Sequence, residues 1–152
     1  MAFENVCAFT GHRDVGDDLD LDRLEYTVKN VIKDGVDTFL CGMARGFDLI
    51  AGQTVLRLKK EYPHIKLIAC IPCLYQDKYF NEQDKKLYLE TLSLCDDKVY
   101  VSKNYFKGCM LVRNRYMVDN SSRLIAFERQ TDGGTVYTVK YALSKNKKVY
   151  IL

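Results

Sequence analysis

An arginine between glycines follows a short apolar run in the first third of the chain. The segment reads Cys41-Gly42-Met43-Ala44-Arg45-Gly46-Phe47-Asp48 and lies between a predicted strand and a predicted helix. Gly42 and Gly46 permit positive φ angles and a close approach to a ligand. The N–H groups that open the helix lack partners within it and, with the helix dipole, attract anions. Arg45 adds a fork of donors suited to phosphate. The segment predicts a phosphate-binding turn; a tight turn with a solvated arginine has the same pattern.

Three further loops carry residues suited to the same ligand. These residues are Gly11, His12, Arg13, then Arg113, Asn114, Arg115, and finally Gly133, Gly134, Thr135. His12 either bonds a phosphate or ribose or caps a helix. Asp48 either accepts from a ribose hydroxyl or complements the helix dipole. Arg113 and Arg115 lie two residues apart and do not share a helix face, so one is expected to meet the ligand and the other a carboxylate or solvent.

Two common nucleotide motifs are missing from the sequence. No G-x-G-x-x-G follows the first predicted strand, which disfavours NAD, and no G-x-x-x-x-G-K-[ST] occurs, which disfavours a P-loop nucleotidase. Tyr105, Phe106 and Tyr116 either offer a face to a base or pack in the core. No cofactor and no catalytic residue is predicted.

Composition indicates an ordinary globular chain. It has 152 residues, of which 47% are hydrophobic and 28% charged, and its net charge is +3. This charge is too small to indicate a nucleic-acid surface by itself. The N-terminus lacks signal-peptide features, and no apolar run is long enough to span a bilayer. We expect a cytoplasmic protein without membrane association.

Six cysteines occur, and two of them form the motif Cys70-Ile-Pro-Cys73. A C-x-x-C can be redox-active, but that motif normally opens a helix, and this one begins in a predicted strand. Zinc normally takes four ligands, and the chain has no second C-x-x-C and only two histidines. We therefore predict buried thiols and no metal site.

Apolar runs and helical periodicities alternate along the whole chain. Strands are predicted at 3–9, 36–41, 65–72, 98–102, 123–127 and 148–152. Helices are predicted from the acidic segment 14–22 to Gly35, at about 47–62, 82–94 and about 109–120, and around Val136, Val139, Ala142 and Leu143. This order predicts a single α/β domain over residues 1–152, a three-layer Rossmann-like fold with a mainly parallel sheet of about six strands and helices on both faces. All four loops then meet at the carboxyl edge of the sheet, where such folds bind ligands.

The motifs together resemble a known superfamily. The segment from Cys41 to Asp48 resembles the signature of DNA-processing protein A (DprA/Smf), as does Arg113-Asn114-Arg115 followed by Asp119-Asn120-Ser121-Ser122. The Thr-Gly-His-Arg start and the stretch RNRYMVDNSS are most similar to the YpsA-type branch of the SLOG superfamily. The resemblance covers nearly the whole chain. It implies a Rossmann-like fold and nucleotide-derived ligands, with no assigned reaction.

A third branch, the LOG-type phosphoribohydrolases, hydrolyses the N-glycosidic bond of nucleoside monophosphates. Arg113 and Met117 match its Arg-Lys-x-x-Met motif, and Gly134-Thr135 matches part of its Pro-Gly-Gly-x-Gly-Thr-x-x-Glu motif. The catalytic glutamate falls on Thr138, which cannot stabilise an oxocarbenium-like centre as a carboxylate does.

The function predicted is therefore binding or sensing of a nucleotide-derived, phosphate-bearing small molecule. A LOG-like hydrolase and a DprA-like single-stranded DNA binder are the alternatives, and nucleic acid is the less favoured partner because of the weak net charge. Whether the chain forms a homo-oligomer stays open.

Overall fold

The fold is built on one sheet of six parallel strands. The computed structural model describes residues 3–129 and 132–152. The strands are β1 (Val6–Gly11), β2 (Thr38–Cys41), β3 (Lys66–Ile71), β4 (Asp97–Tyr100), β5 (Arg123–Phe127) and β6 (Lys148–Ile151). Their order in the sheet is β4-β3-β2-β1-β5-β6, and every neighbouring pair is parallel.

Five helices cover the two faces of this sheet. They are α1 (Leu21–Lys33), α2 (Phe47–Leu58), α3 (Glu82–Leu94), α4 (Cys109–Asp119) and α5 (Gly134–Ser144). Buried residues of α1, α2 and α3 pack in one core cluster with Phe9, Phe39 and Leu67, whereas α4 and α5 pack in a second cluster with Ala8 and Leu40. Successive strand residues point to opposite faces, so both clusters draw on the same strands. The predicted three-layer Rossmann-like fold is confirmed.

Near the carboxyl edge, β4 ends at Tyr100 rather than at the predicted residue 102, and β1 and the loop after β3 also differ from the sequence prediction. Strand β1 continues through Thr10 and Gly11, which were predicted as loop, because both pair with β5, Gly11 opposite Phe127. The loop after β3 contains a short 3₁₀ helix, Gln76–Tyr79. It follows Tyr75, whose backbone is left-handed at φ 61°, a conformation that side-chain patterns do not reveal.

The strand order creates a crevice at the end of β1. The chain proceeds from β1 to β2, β3 and β4 on one side and then returns along α4 to β5 on the other side. The helices that follow β1 and β5 pack in different clusters, so their connections diverge and leave space between the loops.

No helix among residues 3–129 and 132–152 combines the length and apolarity that a membrane span requires.

Candidate functional site

A cavity of about 330 Å³ lies outside the carboxyl ends of β1 and β5. We call it the main cavity. Its walls come from the end of β1, the loops after β1 and β2, and the N-terminal halves of α2, α4 and α5. Its lining residues are Thr10, Gly11, His12, Arg13, Asp14, Ala44, Asp48, Met110, Leu111, Arg113, Asn114, Gly134 and Thr135.

Arg113 is a buried arginine in the wall of the main cavity. It is 3% exposed, and its Nη1 donates to the carbonyl oxygens of Gly42 and Cys70 and to Oε1 of Gln76. Burial lowers its pKa, and the negative charge of Asp48 opposes that shift. A buried guanidinium requires such acceptors and a counter-charge. Arg113 therefore joins the ends of β2 and β3 to α4.

Asp48, in the first turn of α2, is the matching buried carboxylate. Its Oδ2 accepts from the backbone N–H of Ala44 at 3.3 Å, whereas Oδ1 is buried without a hydrogen-bond partner among the described residues. Burial raises the pKa of Asp48 to about 6, against the opposing effects of Arg113, the Ala44 N–H and Arg13. Buried carboxylate oxygens normally have partners. Asp48 is among the residues that line the main cavity, so a donor bound there is a candidate partner for this oxygen.

Gly42 lies between the side chains of Asp48 and Arg113. Its backbone does not have the positive φ angle that we predicted. Positive φ occurs at Met43 (φ 61°) and Gly46 (φ 82°), and Gly42 is not among the positive-φ residues. A β-carbon at Gly42 would lie 2.8 Å from Oδ2 of Asp48 and 2.9 Å from Cζ of Arg113. Glycine is therefore required here by the close approach of the two side chains.

The N-terminus of α5 forms another wall of the main cavity. Its N-cap, Gly133, has φ 102° and ψ −174°, a conformation that only glycine adopts readily, and no side chain caps the helix. The first N–H groups of an α-helix have no partner within the helix, and Gly134 and Thr135 line the cavity. Arg13 lines the same cavity, and its guanidinium bonds to Sδ of Met110 at 2.8 Å, its only hydrogen-bond partner among the described residues. A thioether is a weak acceptor.

His12 holds the rim of the main cavity together. Its Nε2 accepts from the backbone N–H of Arg129 at 2.7 Å, and its carbonyl accepts from the N–H of Phe47. The ring packs edge-on against Phe127, and burial lowers its pKa. The imidazole thus links the loops after β1 and β5.

Comparison with known proteins identifies the family. The model described as the YspA SLOG family matches residues 21–151. The chain belongs to this family. A UPF0398 protein of Halalkalibacterium halodurans is 28% identical over 82% of this chain and 67% of its own length. The SPbeta prophage-derived protein YoqJ of Bacillus subtilis is 30% identical over 86% of this chain and 81% of its own length. The resemblance predicted from the motifs is confirmed.

Solved structures of DNA processing protein A share the fold of this SLOG domain. The Helicobacter pylori protein superposes with a TM-score of 0.69 at 21% identity, over 98% of this chain and 65% of that chain. The Streptococcus pneumoniae protein gives 0.69 at 18% identity, over 98% of this chain and 50% of that chain. The chain thus spans half to two thirds of these proteins, and at this identity the similarity concerns the fold alone.

Nine of the fourteen site residues predicted for this SLOG protein line the main cavity. The other five do not: Gly42, Arg45, Gly46, Arg115 and Gly133. Arg45 Nη1 pairs with Oδ1 of Asp14 at 2.9 Å, and Arg115 donates to the hydroxyl of Tyr137 on α5. Gly46 is the N-cap of α2, where a β-carbon would collide with the carbonyl of Arg13. These residues shape the loops around the cavity or lie beside it.

Gln76 and Thr138 hold the site together without an obvious signal in the sequence. Nε2 of Gln76 donates to the carbonyl oxygens of Gly42 and Met43, in addition to its contact with Arg113. The hydroxyl of Thr138 donates to the carbonyl of Gly134 at 2.7 Å and accepts from Nδ2 of Asn114 at 3.0 Å. Gln76 thus supports backbone that lies far away in the sequence, and Thr138 links α5 to the side chain of Asn114 on α4.

The C-x-x-C of this SLOG chain does not pair its own two thiols. All six cysteines are free. Burial raises the pKa of Cys70 to about 12, and the pKa of Cys73 is raised by burial and by the neighbouring thiol of Cys109. Among the described residues, no group of three or more His, Cys, Asp or Glu side chains is arranged to hold a metal ion.

Proposed function

We propose that the protein binds a nucleotide-derived, phosphate-bearing small molecule in the main cavity. The observation that carries this proposal is Oδ1 of Asp48, a buried carboxylate oxygen without a partner among the described residues, in a side chain that lines the main cavity. An unmade hydrogen bond of this kind costs about 1–3 kcal/mol. A ribose hydroxyl is a donor that would satisfy it.

The N-terminus of α5, in another wall of the main cavity, provides groups that bind an anion. The uncapped N-terminus of α5 presents Gly134 and Thr135 to the cavity, and helix N-termini bind phosphate through their free N–H groups and dipole. Arg13 would exchange its thioether contact for a charged acceptor, which forms the stronger hydrogen bond. The main cavity thus combines a carboxylate that can accept from a hydroxyl with a site for an anion, and a sugar phosphate has both groups.

Each of the two alternative functions requires a different feature of the protein. A nucleoside monophosphate hydrolase needs a carboxylate near the position of Thr138, whose hydroxyl is instead engaged by Asn114 and Gly134. Single-stranded DNA binding draws support from the fold shared with the H. pylori protein, which binds single-stranded DNA. The net charge of +3 offers it little electrostatic support.

A thermal-shift panel tests the proposal directly. It contains AMP, ADP, ATP, ribose 5-phosphate, adenosine as the control without phosphate, and a short oligothymidylate. A ligand at a hundred times its Kd stabilises the native state by about 2.7 kcal/mol, which for a domain of this size raises the Tm by about 5–11 °C. We expect a shift with the phosphorylated compounds and none with adenosine.

The Asp48→Asn variant is the matched control, because it keeps the side-chain volume and removes the charged acceptor. It should bind AMP more weakly than the natural protein. Absence of a shift with every mononucleotide at millimolar concentration would refute the proposal, and a shift with the oligonucleotide alone would favour the DNA-binding alternative.

A further inference from the structure

A second, larger cavity lies beside the main cavity. We call it the aromatic cavity; it has a volume of about 660 Å³, and Tyr75, Tyr79, Tyr105, Lys78 and Lys103 are among its lining residues. Its three tyrosines are 79%, 89% and 71% exposed, respectively. Large aromatic surfaces left open to water and gathered around one cavity commonly mark a binding site.

The loops after β3 and β4 are joined so that these tyrosines face one space. The N–H of Leu74 donates to the carbonyl of Lys103 at 3.1 Å, and the N–H of Ser102 donates to the carbonyl of Pro72 at 3.1 Å. Tyr75 is held in the left-handed region at φ 61°, ψ 34°. That conformation is unfavourable for a residue with a side chain and persists where the surrounding structure enforces it.

A smaller cavity of about 200 Å³ connects the main cavity to the aromatic one. It shares Arg13 and Ala44 with the main cavity and Gln76 and Tyr79 with the aromatic cavity, and Met110 lines all three. The three cavities are therefore sections of one groove. The main cavity contributes the N-terminus of α5 and the carboxylate of Asp48 to this groove, the smaller cavity contributes the guanidinium of Arg13, and the aromatic cavity contributes exposed tyrosine rings.

We infer that the aromatic cavity binds the base of the nucleotide by stacking, with the sugar phosphate in the main cavity. This inference rests on the function proposed above. The sugar phosphate would lie against α5 and Asp48, which both line the main cavity, and the base would lie among the tyrosines of the aromatic cavity. Aromatic stacking contacts the π-face of a base, which every base has, so it does not distinguish strongly between bases. The site therefore accepts nucleotides of any base and prefers the larger purines.

Isothermal titration calorimetry with ribose 5-phosphate, UMP and AMP tests the assignment. We expect AMP to bind more tightly than UMP, and UMP more tightly than ribose 5-phosphate, which lacks a base. Tyr79→Ala and Tyr105→Ala should each weaken AMP binding by about tenfold and leave ribose 5-phosphate binding unchanged. Tyr79→Phe should retain AMP affinity, because the stacking face remains.

The control is Tyr26→Ala, since Tyr26 is 66% exposed on α1 and does not line the groove. It should change neither affinity. Equal affinities of AMP and ribose 5-phosphate, or unchanged AMP binding in both alanine variants, would overturn the assignment of the base site alone. Failure of all three compounds to bind the natural protein would instead refute the function proposed for the main cavity.

Discussion

The Asp48→Asn substitution is expected to make the stability of the protein less dependent on pH. Burial raises the pKa of Asp48 from 3.8 to about 6 in the folded protein, against the favourable charge of Arg113. Because the folded pKa lies above the unfolded value, the folded state binds the proton more tightly. The resulting stabilisation is fully present below pH 3.8 and is lost as the pH rises through about 6.

The magnitude follows from this shift. A change of about two pKa units corresponds to about 3 kcal/mol over the whole titration, and about 1 kcal/mol of it falls between pH 5 and pH 7. Asp48 is 6% exposed, so solvent screens this effect little. Asparagine does not titrate, and the groups common to both proteins cancel in the comparison. The variant should gain about 1 kcal/mol relative to the natural protein between the two pH values.

Urea unfolding at pH 5, 6 and 7 measures this difference. Asparagine also changes the hydrogen bond to Ala44 and removes the counter-charge of Arg113, but these effects shift the comparison by a constant amount. The change with pH is the decisive quantity. A difference in unfolding free energy that is the same at pH 5 and pH 7 would refute the reasoning, because Asp48 would then titrate alike in both states.

Ligand binding extends the same test to function. A hydroxyl donated to Oδ1 favours the ionised carboxylate and lowers its pKa, so nucleotide affinity should rise between pH 5 and pH 7. The phosphate of the ligand also titrates near pH 6. The comparison with Asp48→Asn isolates the contribution of the protein: the variant should show the smaller rise. Identical pH profiles would place the ligand away from Asp48.

Three further predictions follow from the loops around the main cavity. Gly42→Ala should lower the free energy of unfolding by about 1–3 kcal/mol, because a β-carbon would lie 2.9 Å from Cζ of Arg113. Gly134→Ala is the control, since a β-carbon there would have its nearest neighbour at an ordinary 3.8 Å. Equal unfolding midpoints of the two variants in urea would contradict the clash at Gly42. Arg45→Ala should change stability by less than about 1 kcal/mol, since its ion pair is exposed. Because Arg45 lines the small cavity beside the main one, the substitution should weaken nucleotide binding by about tenfold in calorimetry; unchanged affinity would end the phosphate-binding role predicted for Arg45 from the sequence. Chromatography should detect no enzymatic release of adenine from AMP, because Thr138 replaces the carboxylate that such hydrolysis requires, and rapid release would support the hydrolase alternative.

The sequence predicted the fold well because the relevant signals are local. Apolar runs and helical periodicities alternate with a spacing that a parallel sheet requires. The N-caps of α2 and α5 are glycines with positive φ, and both were recognised as turns that open helices. Signals of this kind depend on residues close together along the chain.

The site was harder to predict, because its contacts join distant segments. Arg113 bonds to the carbonyls of Gly42 and Cys70 and to the side chain of Gln76, and nothing in its own neighbourhood specifies these partners. Met43, rather than Gly42, takes the positive φ angle. Gly42 is a glycine because two buried side chains approach it, which no local pattern reveals.

Residue types and their spacing along the chain are enough to predict the order of the elements, the edge of the sheet at which the glycine and arginine loops meet, and the similarity to the SLOG family. Which charges are buried, and what they contact, follows from the packing of distant segments. Arg45 pairs with Asp14 beside the main cavity, whereas Asp48 is buried with one oxygen unpartnered among the described residues. The reason is physical: burial and hydrogen-bond partners set the energy of a charge, and both are supplied by segments that meet only in the folded protein.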